Sequence, residues 1–380
     1  GANQNDQLGT GNDIWNSGHV RIYQYANSSW SQLGQDIDGE VDYDQSGWSV
    51  SLSSDGTIVA IGATGNDGNG SNSGHVRVYQ YTSGSWTQLG ADIDGEDQWD
   101  AFGYSVSISS DGTIVATGGD QNDGNGSNSG HVRVYQYANS NWTQLGLDIE
   151  GEAANDRSGY SVSLSSDGKT VAIGAPYNHG TDSGHVRVYQ CSPLFSQQEI
   201  LPNSEHWLSD SMVFEGPHSD DYAGVCTINN DGTIMAQGLY GLGNGQVRVY
   251  QKNSSTLEWN QLGGNIETTL QINGYEFQFG KSLSLSNNGE TISIGGTNDE
   301  QVINTVEVFS LNTGNSSWEL KGDLIFIETK NAYMNDINGD GSVIVIGEPT
   351  YNTTENGRVR VFYYNTTNST WDLVGSPIIG

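Results

Sequence analysis

The 380-residue chain sets 13 Lys and Arg against 45 Asp and Glu, a formal net charge of −32, with 34% hydrophobic residues, 52 glycines and two cysteines. A surface of that sign repels phosphate backbones and anionic membranes, so no nucleic acid is expected as a partner; cations, basic partners and plain solubility are favoured. Val, Ile, Tyr and Trp at ordered spacing exclude a disordered chain, Cys191 and Cys226 give no disulfide framework, and no apolar run is long enough to span a bilayer.

In chain order, residues 1–38 read as a partial repeat. GANQND matches the end of a strand and its loop, and GHVRIYQY and WSQLGQDIDGE follow, from Gly18 to Glu40. Full units are expected at about 39–95, 96–150, 151–205, 206–267, 268–325 and 326–380, all within a single propeller. Trp30, Trp86 and Trp142 hold one repeat position, so the period is 86 − 30 = 142 − 86 = 56. Asp55, Asp111 and Asp167, each followed by Gly, keep that period. A period of ~40–60 residues with strand patterns and no helical pattern reads as a propeller blade.

Each unit offers four strand candidates; in the second unit these are Ser49–Ser53, Thr57–Gly62, His75–Tyr81 and Trp86–Ile93. Ser-Asp-Gly between the first two is a hairpin signal. Six units and a half predict an all-β, seven-bladed propeller of four-stranded antiparallel blades, the first blade incomplete. The segment from Cys191 to Ala223 departs most from the repeat, and Phe195 is expected to replace its tryptophan. An incomplete first blade has an unpaired inner edge on its third strand, so self-assembly or further polypeptide is expected to cover it.

The repeated His19, His75, His131 and His185 fall on the third strand, where equivalent positions lie apart, so a structural role is expected. The repeated Arg21, Arg77, Arg133, Arg187, Arg248 and Arg360 hold nearly half of all Lys and Arg. Buried guanidinium groups need carboxylates, and Asp44, Asp100, Asp156 and Asp220 are the expected partners. The fourth-strand tryptophans Trp30, Trp86, Trp142, Trp259, Trp318 and Trp371 read as packing anchors. Acid and amide clusters suit calcium, an oxygen-seeking ion. The candidate ligands are Asp336, Asn338 and Asp340 in one turn, and Asp67, Asn69, Asp123 and Asn125 in two echoed loops.

FGYSVS at 102–107, the Ser-Asp-Gly turn, TIVATGG and GHVRVYQY resemble FG-GAP repeats, the units of the integrin alpha-subunit propeller and of secreted microbial and algal proteins. The resemblance covers essentially the whole chain. It implies a seven-bladed propeller, extracellular placement, and adhesion or ligand binding at a cell surface. Calcium-bearing members carry D-x-[DN]-x-D-G-x-x-D between the first two strands. Only Asp336, Asn338, Asp340 and Gly341 match it here, and the ninth position is Ile344.

Sequons at Asn27, Asn141, Asn253, Asn315, Asn365 and Asn368 fall in or beside the hairpin before the fourth strand, an exposed place for glycans. No Ser-His-Asp order, Gly-x-Ser-x-Gly, phosphate loop or HExxH is present. His206, Trp207 and His218 in the divergent segment are the candidate binding residues, since unrepeated loops on a repeated scaffold carry function. The expected function is a non-enzymatic structural or adhesion protein, secreted or at the cell surface, in an assembly or filament, with a protein or glycan ligand. A lectin-like module is the second reading and an enzyme the third.

Overall fold

A computed structural model describes residues 1, 16–177, 182–193, 205–241, 243–270, 277–298, 303–327, 334–349 and 357–380. These residues form strands and turns without a helix, and none of the structure is a helix long and apolar enough to cross a membrane. The all-β propeller is as expected, but it has six blades rather than seven.

Blade 1 is built from Ser46–Leu52, Ile58–Ala63, His75–Thr82 and Ser85–Gln88. Blade 2 repeats this with Ser105–Ile108, Ile114–Gly119, His131–Ala138 and Asn141–Gln144, and blade 3 with Ser161–Leu164, Thr170–Ala175, His185–Pro193 and Glu205–Glu215. Blades 4, 5 and 6 begin at Val225–Ile228, Ser282–Leu285 and Asn335–Ile337. In each, consecutive strands pair in order from inner to outer. The outer strand is broken in blades 1, 2, 5 and 6. In blade 1, Ser85–Gln88 pairs one end of the third strand and Ile93–Asp94 the other. Gly90 bridges the break with φ +79, a conformation that suits glycine.

The expected seventh blade is only an outer half. His19–Val20 pairs with Ile37–Asp38, and Tyr23–Ala26 with Ser29–Gln32. These are third- and fourth-strand sequences; among the described residues no inner strands join them, so they stay two-stranded ladders.

Packing divides the chain into two units. The first is Gly1–Gln24, Ser31–Gly180 and Arg187–Val213, and the second Tyr25–Trp30, Thr181–Val186 and Phe214–Gly380. In the first, the core lies between blade faces: Ile58, Ala60, Val76 and Val78 of blade 1 meet Ile108, Val115 and Trp142 of blade 2. In the second, Val306 and Val308 of blade 5 meet Ile344, Ile346 and Phe362 of blade 6. Second strands are therefore covered on both faces, which is why IVAIGA reads as an unbroken apolar run rather than an alternation.

The Ser-Asp-Gly turns work as expected. Asp55 Oδ1 accepts from the Thr57 amide at 2.9 Å and from Ser53 Oγ at 2.8 Å, and Asp111 repeats the pattern. Inner strands are stitched by serines. The Ile108 amide donates to Ser51 Oγ at 3.2 Å and the Leu164 amide to Ser107 Oγ at 3.0 Å.

Candidate functional site

The repeated polar residues of the third strand are structural. Arg133 Nε and Nη2 donate to Asp148 at 3.0 and 2.7 Å, and Nη2 also meets Glu96. Arg77 meets Asp92 and Glu40 in the same way, Arg187 meets Glu152, and Arg21 meets Asp36. Arg21, Arg77 and Arg133 thus tie their own outer hairpins, and Arg77, Arg133 and Arg187 the linker from the preceding repeat. The expected partners were Asp44, Asp100, Asp156 and Asp220, and this is corrected. Asp44, Asp100, Asp156 and Asp221 instead accept amides of their own turns, as when the Asp97 amide donates to Asp100 Oδ2 at 3.0 Å.

The same region brings metal-ligand types together. Glu40, His75 and Asp92, and again Glu96, His131 and Asp148, have one donor atom each within 4.8 Å of the others. A metal does not fit there, because Arg77 and Arg133 already ion-pair with both carboxylates of each set. His131 is fully buried against the edge of Phe102 at 5.8 Å. Burial, helped by the neighbouring Arg133 charge, lowers its pKa to about 4, so it is neutral at neutral pH.

The calcium candidates do not converge. Asp336 accepts from Ser284 of the next inner strand, whereas Asn338 Oδ1 takes the Ser342 and Val343 amides and Asp340 Oδ1 the Ser342 amide. Asp67 and Asp123 accept the amides of Asn72 and Asn128, closing their own loops. Asn69 and Asn125 donate to the carbonyls of Gly95 and Gly151.

Trp207 is not in a loop but on the outer strand of blade 3, where its indole N–H donates to Leu145 O at 2.8 Å. It fills the place expected for Phe195, which lies outside the described residues, as does the side chain of His206. His218 is exposed and its amide donates to Asp221 Oδ2 at 2.7 Å. Asn27, Asn141, Asn253, Asn315 and Asn368 are exposed and Asn365 half-buried, all on outer hairpins.

A different cluster in the first unit breaks the repeat. The register Ser105↔Gly118 and its equivalents make Thr64, Asp120 and Pro176 one repeat position. Only Asp120 is ionisable there. It is fully buried, its Oδ1 meets no hydrogen-bond donor, and its Oδ2 faces Arg157 Nη1 at 3.5 Å. Burial pushes its carboxyl up to about 6 against the pull of Arg157. Arg157 stands where the repeats have Gln45 and Ala101. Its side chain is 39% exposed and lies over the Tyr177 ring at 5.4 Å.

Beside this pair run three half-exposed aromatics, one from each blade: Trp48, Tyr104 and Tyr160. Their ring centroids are 5.5 Å apart for Trp48–Tyr104 and 5.2 Å for Tyr104–Tyr160. The Tyr160 amide donates to Arg157 O, and the Tyr104 amide to Gly118 O, two residues from Asp120. Neither the pair nor the row was among the expected site residues. The signal was present: a period of 56 in W, Y, Y, and an acid in TGGD where IGAT and IGAP have none.

The FG-GAP repeat family matches residues 38–79. No curated protein matches the chain by sequence. Among solved structures, a periplasmic gluconolactonase of Pseudomonas aeruginosa is 16% identical, with TM-score 0.62 over 95% of this chain and 94% of that one. A 6-phosphogluconolactonase-like protein of Bacteroides uniformis is 13% identical, TM-score 0.59, over 91% and 89%. One of Bacteroides fragilis is 12% identical, TM-score 0.59, over 95% and 94%. At such identities the likeness is one of fold. The expectation of a non-enzymatic adhesion scaffold is corrected, because these three propellers, matched over about nine-tenths or more of their length, carry lactonase rather than adhesion names. The chain is an FG-GAP-like β-propeller.

Proposed function

We propose that the chain is a hydrolase that opens sugar-derived lactones, with Asp120 and Arg157 as its reacting groups. The observation that carries this is the Asp120–Arg157 pair: a buried carboxyl with a pKa of about 6 beside a half-exposed cation, at positions where the repeat has neither. A base is most effective when its pKa lies near the working pH. The full-length likeness to gluconolactonase propellers supports the substrate class.

In this reading the Asp120 carboxylate takes a proton from water as the water oxygen bonds to the lactone carbonyl carbon. Arg157 stabilises the oxyanion that forms. The ring C–O bond then breaks, the Asp120 proton passes to the leaving alkoxide, and a hydroxy acid results. The reading requires water to reach Asp120 past the Arg157 side chain. No step passes through calcium, whose candidate ligands are engaged with their own turns and neighbours. A compartment outside the cytoplasm is consistent with the periplasmic neighbour. The base needed to hold pH constant as D-glucono-1,5-lactone opens to its acid, compared with the spontaneous rate, tests the proposal. Acceleration that disappears in Arg157→Gln supports it, and a rate equal to the blank overturns it.

A further inference from the structure

The repeat fixes the backbone of Arg157 but not its side chain. Its amide donates to Asn128 O at 3.1 Å, as Gln45 does to Asn16 O and Ala101 to Asn72 O, each at 3.1 Å. The three residues share a left-handed backbone, with φ +54, +58 and +52. The turn therefore sets where the Arg157 side chain starts, whatever residue stands there. A long cationic side chain that is 39% exposed would otherwise sample many rotamers in water. Two groups limit it. One is the Asp120 carboxylate, 3.5 Å from Nη1, and the other the Tyr177 ring, whose centroid lies 5.4 Å from the guanidinium carbon. That distance is within reach of a cation–π contact, which arginine makes more often than lysine.

Tyr177 is itself a departure from the repeat. Gly65, Gln121, Tyr177 and Gly241 hold one position, directly after Thr64, Asp120, Pro176 and Tyr240. Glycine suits that position because a Cβ would strike a carbonyl: Tyr43 O at 1.9 Å from Gly65, and Asp220 O at 1.6 Å from Gly241. In blade 3 the turn stands further off. The Tyr177 amide donates to Asp156 O at 3.4 Å, where Gly65 donates to Asp44 O at 3.0 Å. A turn that closes tightly over glycine is thus opened for a half-buried aromatic, and the guanidinium of Arg157 lies over its ring.

We infer that Tyr177 is a positioning residue, whose ring face holds the Arg157 guanidinium beside Asp120. The inference rests on the hydrolase reading for its purpose but not for its measurement. The charged group that bears on Asp120 is Arg157; the Asp120 amide and the Gln121 side chain bear on it too, and neither titrates. A neighbouring cation lowers a carboxyl pKa, so a guanidinium that swings away lets it rise. The Asp120 carboxyl is followed by 13C NMR in a pH titration of the whole chain, its signal assigned by its loss in Asp120→Asn. Tyr177→Leu should raise the Asp120 pKa by about 1, the low end for loss of a close opposite charge. Arg157→Gln should raise it at least as far, and adding Tyr177→Leu to Arg157→Gln should raise it no further. Tyr177→Phe keeps the ring face and should titrate as the wild type does. Far-ultraviolet circular dichroism and Tm confirm that each variant folds. If the leucine variant does not, Tyr177→Gln replaces it, glutamine being the residue of blade 2 at this position. A lowered Tm with the Asp120 titration unmoved would make Tyr177 merely structural and overturn the inference, as would a Tyr177→Phe titration displaced as far as that of the leucine variant. A titration that follows the ring, in a protein with no lactone turnover, keeps the positioning role and removes the hydrolase reading. Lactone turnover with an unmoved titration removes the positioning role alone.

Discussion

Two sets of aromatics recur with the same period in this molecule and do opposite things. Trp86 and Trp142 on the outer strands are buried, with their indole N–H groups spent on carbonyls of the preceding repeat. In the second unit, the buried Trp371 and the half-buried Trp30 donate likewise to Lys321 O and Val374 O. Trp48, Tyr104 and Tyr160 lie at the start of the inner strands and stay half-exposed, their ring centroids 5.2–5.5 Å apart. Periodicity alone therefore does not separate scaffold from site. What separates them is burial: Trp86 and Trp142 are enclosed between blades, whereas Trp48, Tyr104 and Tyr160 are half-exposed.

Truncation should break the comparison open. Trp142→Ala empties a buried site shared by blades 1 and 2 and is expected to cost ~3–5 kcal/mol, a typical value for a buried Trp or Phe. Trp48→Ala should cost less than ~1 kcal/mol, since a half-exposed ring loses little burial. Urea unfolding of the two variants, read as midpoints at equal m, measures both. Equal losses would mean that the inner row is scaffold after all.

Arg133→Ala should come next in size. It leaves Asp148 and Glu96 without their shared cation, and ~3 kcal/mol is expected for breaking a buried pair, less here because Glu96 is half-exposed. A loss under ~0.5 kcal/mol in the same assay would show that the pair is screened by solvent.

The third effect depends on pH. The folded state holds the Asp120 proton up to about 6, against the usual 3.8, so this residue makes stability fall as pH rises from about 4 to 6. His131 works in the other direction. Its proton leaves at about 4 rather than 6.5 in the folded state, so stability falls as pH drops through that window. The two oppose each other. Asp120→Asn should leave the histidine uncompensated and steepen the rise of stability, and with it Tm, between about pH 4 and 6, by up to ~3 kcal/mol of unfolding free energy at ~1.4 kcal/mol per unit. An unaltered Tm profile would contradict the buried, ionisable state of Asp120.

The smallest effect is the absence of one. Chelation with EDTA should leave Tm unchanged, because the oxygens of Asn338, Asp340, Asp67 and Asp123 accept amides of their own turns. A fall of several degrees would mean that an ion competes successfully with those hydrogen bonds.

Much of the fold was legible in the sequence. Ser-Asp-Gly, the apolar second strand and the outer tryptophan each have a local cause, and each sits where its pattern placed it. The blade number did not follow, because it depends on whether GHVRIYQY and WSQLGQDIDGE recruit inner strands, and no local pattern reports that. The arginine partners needed the register. His75↔Asp94 puts Asp92 opposite Arg77, so counting back along the hairpin would have found it. Trp207 was read as a loop residue because the insertion before it hid its repeat position. Asp120 and Arg157 were missed for the opposite reason: each is one changed letter inside a well-kept repeat, where neither strand pattern nor turn chemistry is altered.

The pH–rate profile of lactone opening tests the central claim most directly. Wild type should accelerate D-glucono-1,5-lactone hydrolysis, with kcat rising through an apparent pKa of about 6 as Asp120 ionises. Asp120→Asn should lower kcat by ~10²–10⁴ and remove that limb, the range expected when a general base is lost. A wild-type rate that does not exceed the spontaneous one, or an Asp120→Asn profile that overlays the wild type, would contradict the account.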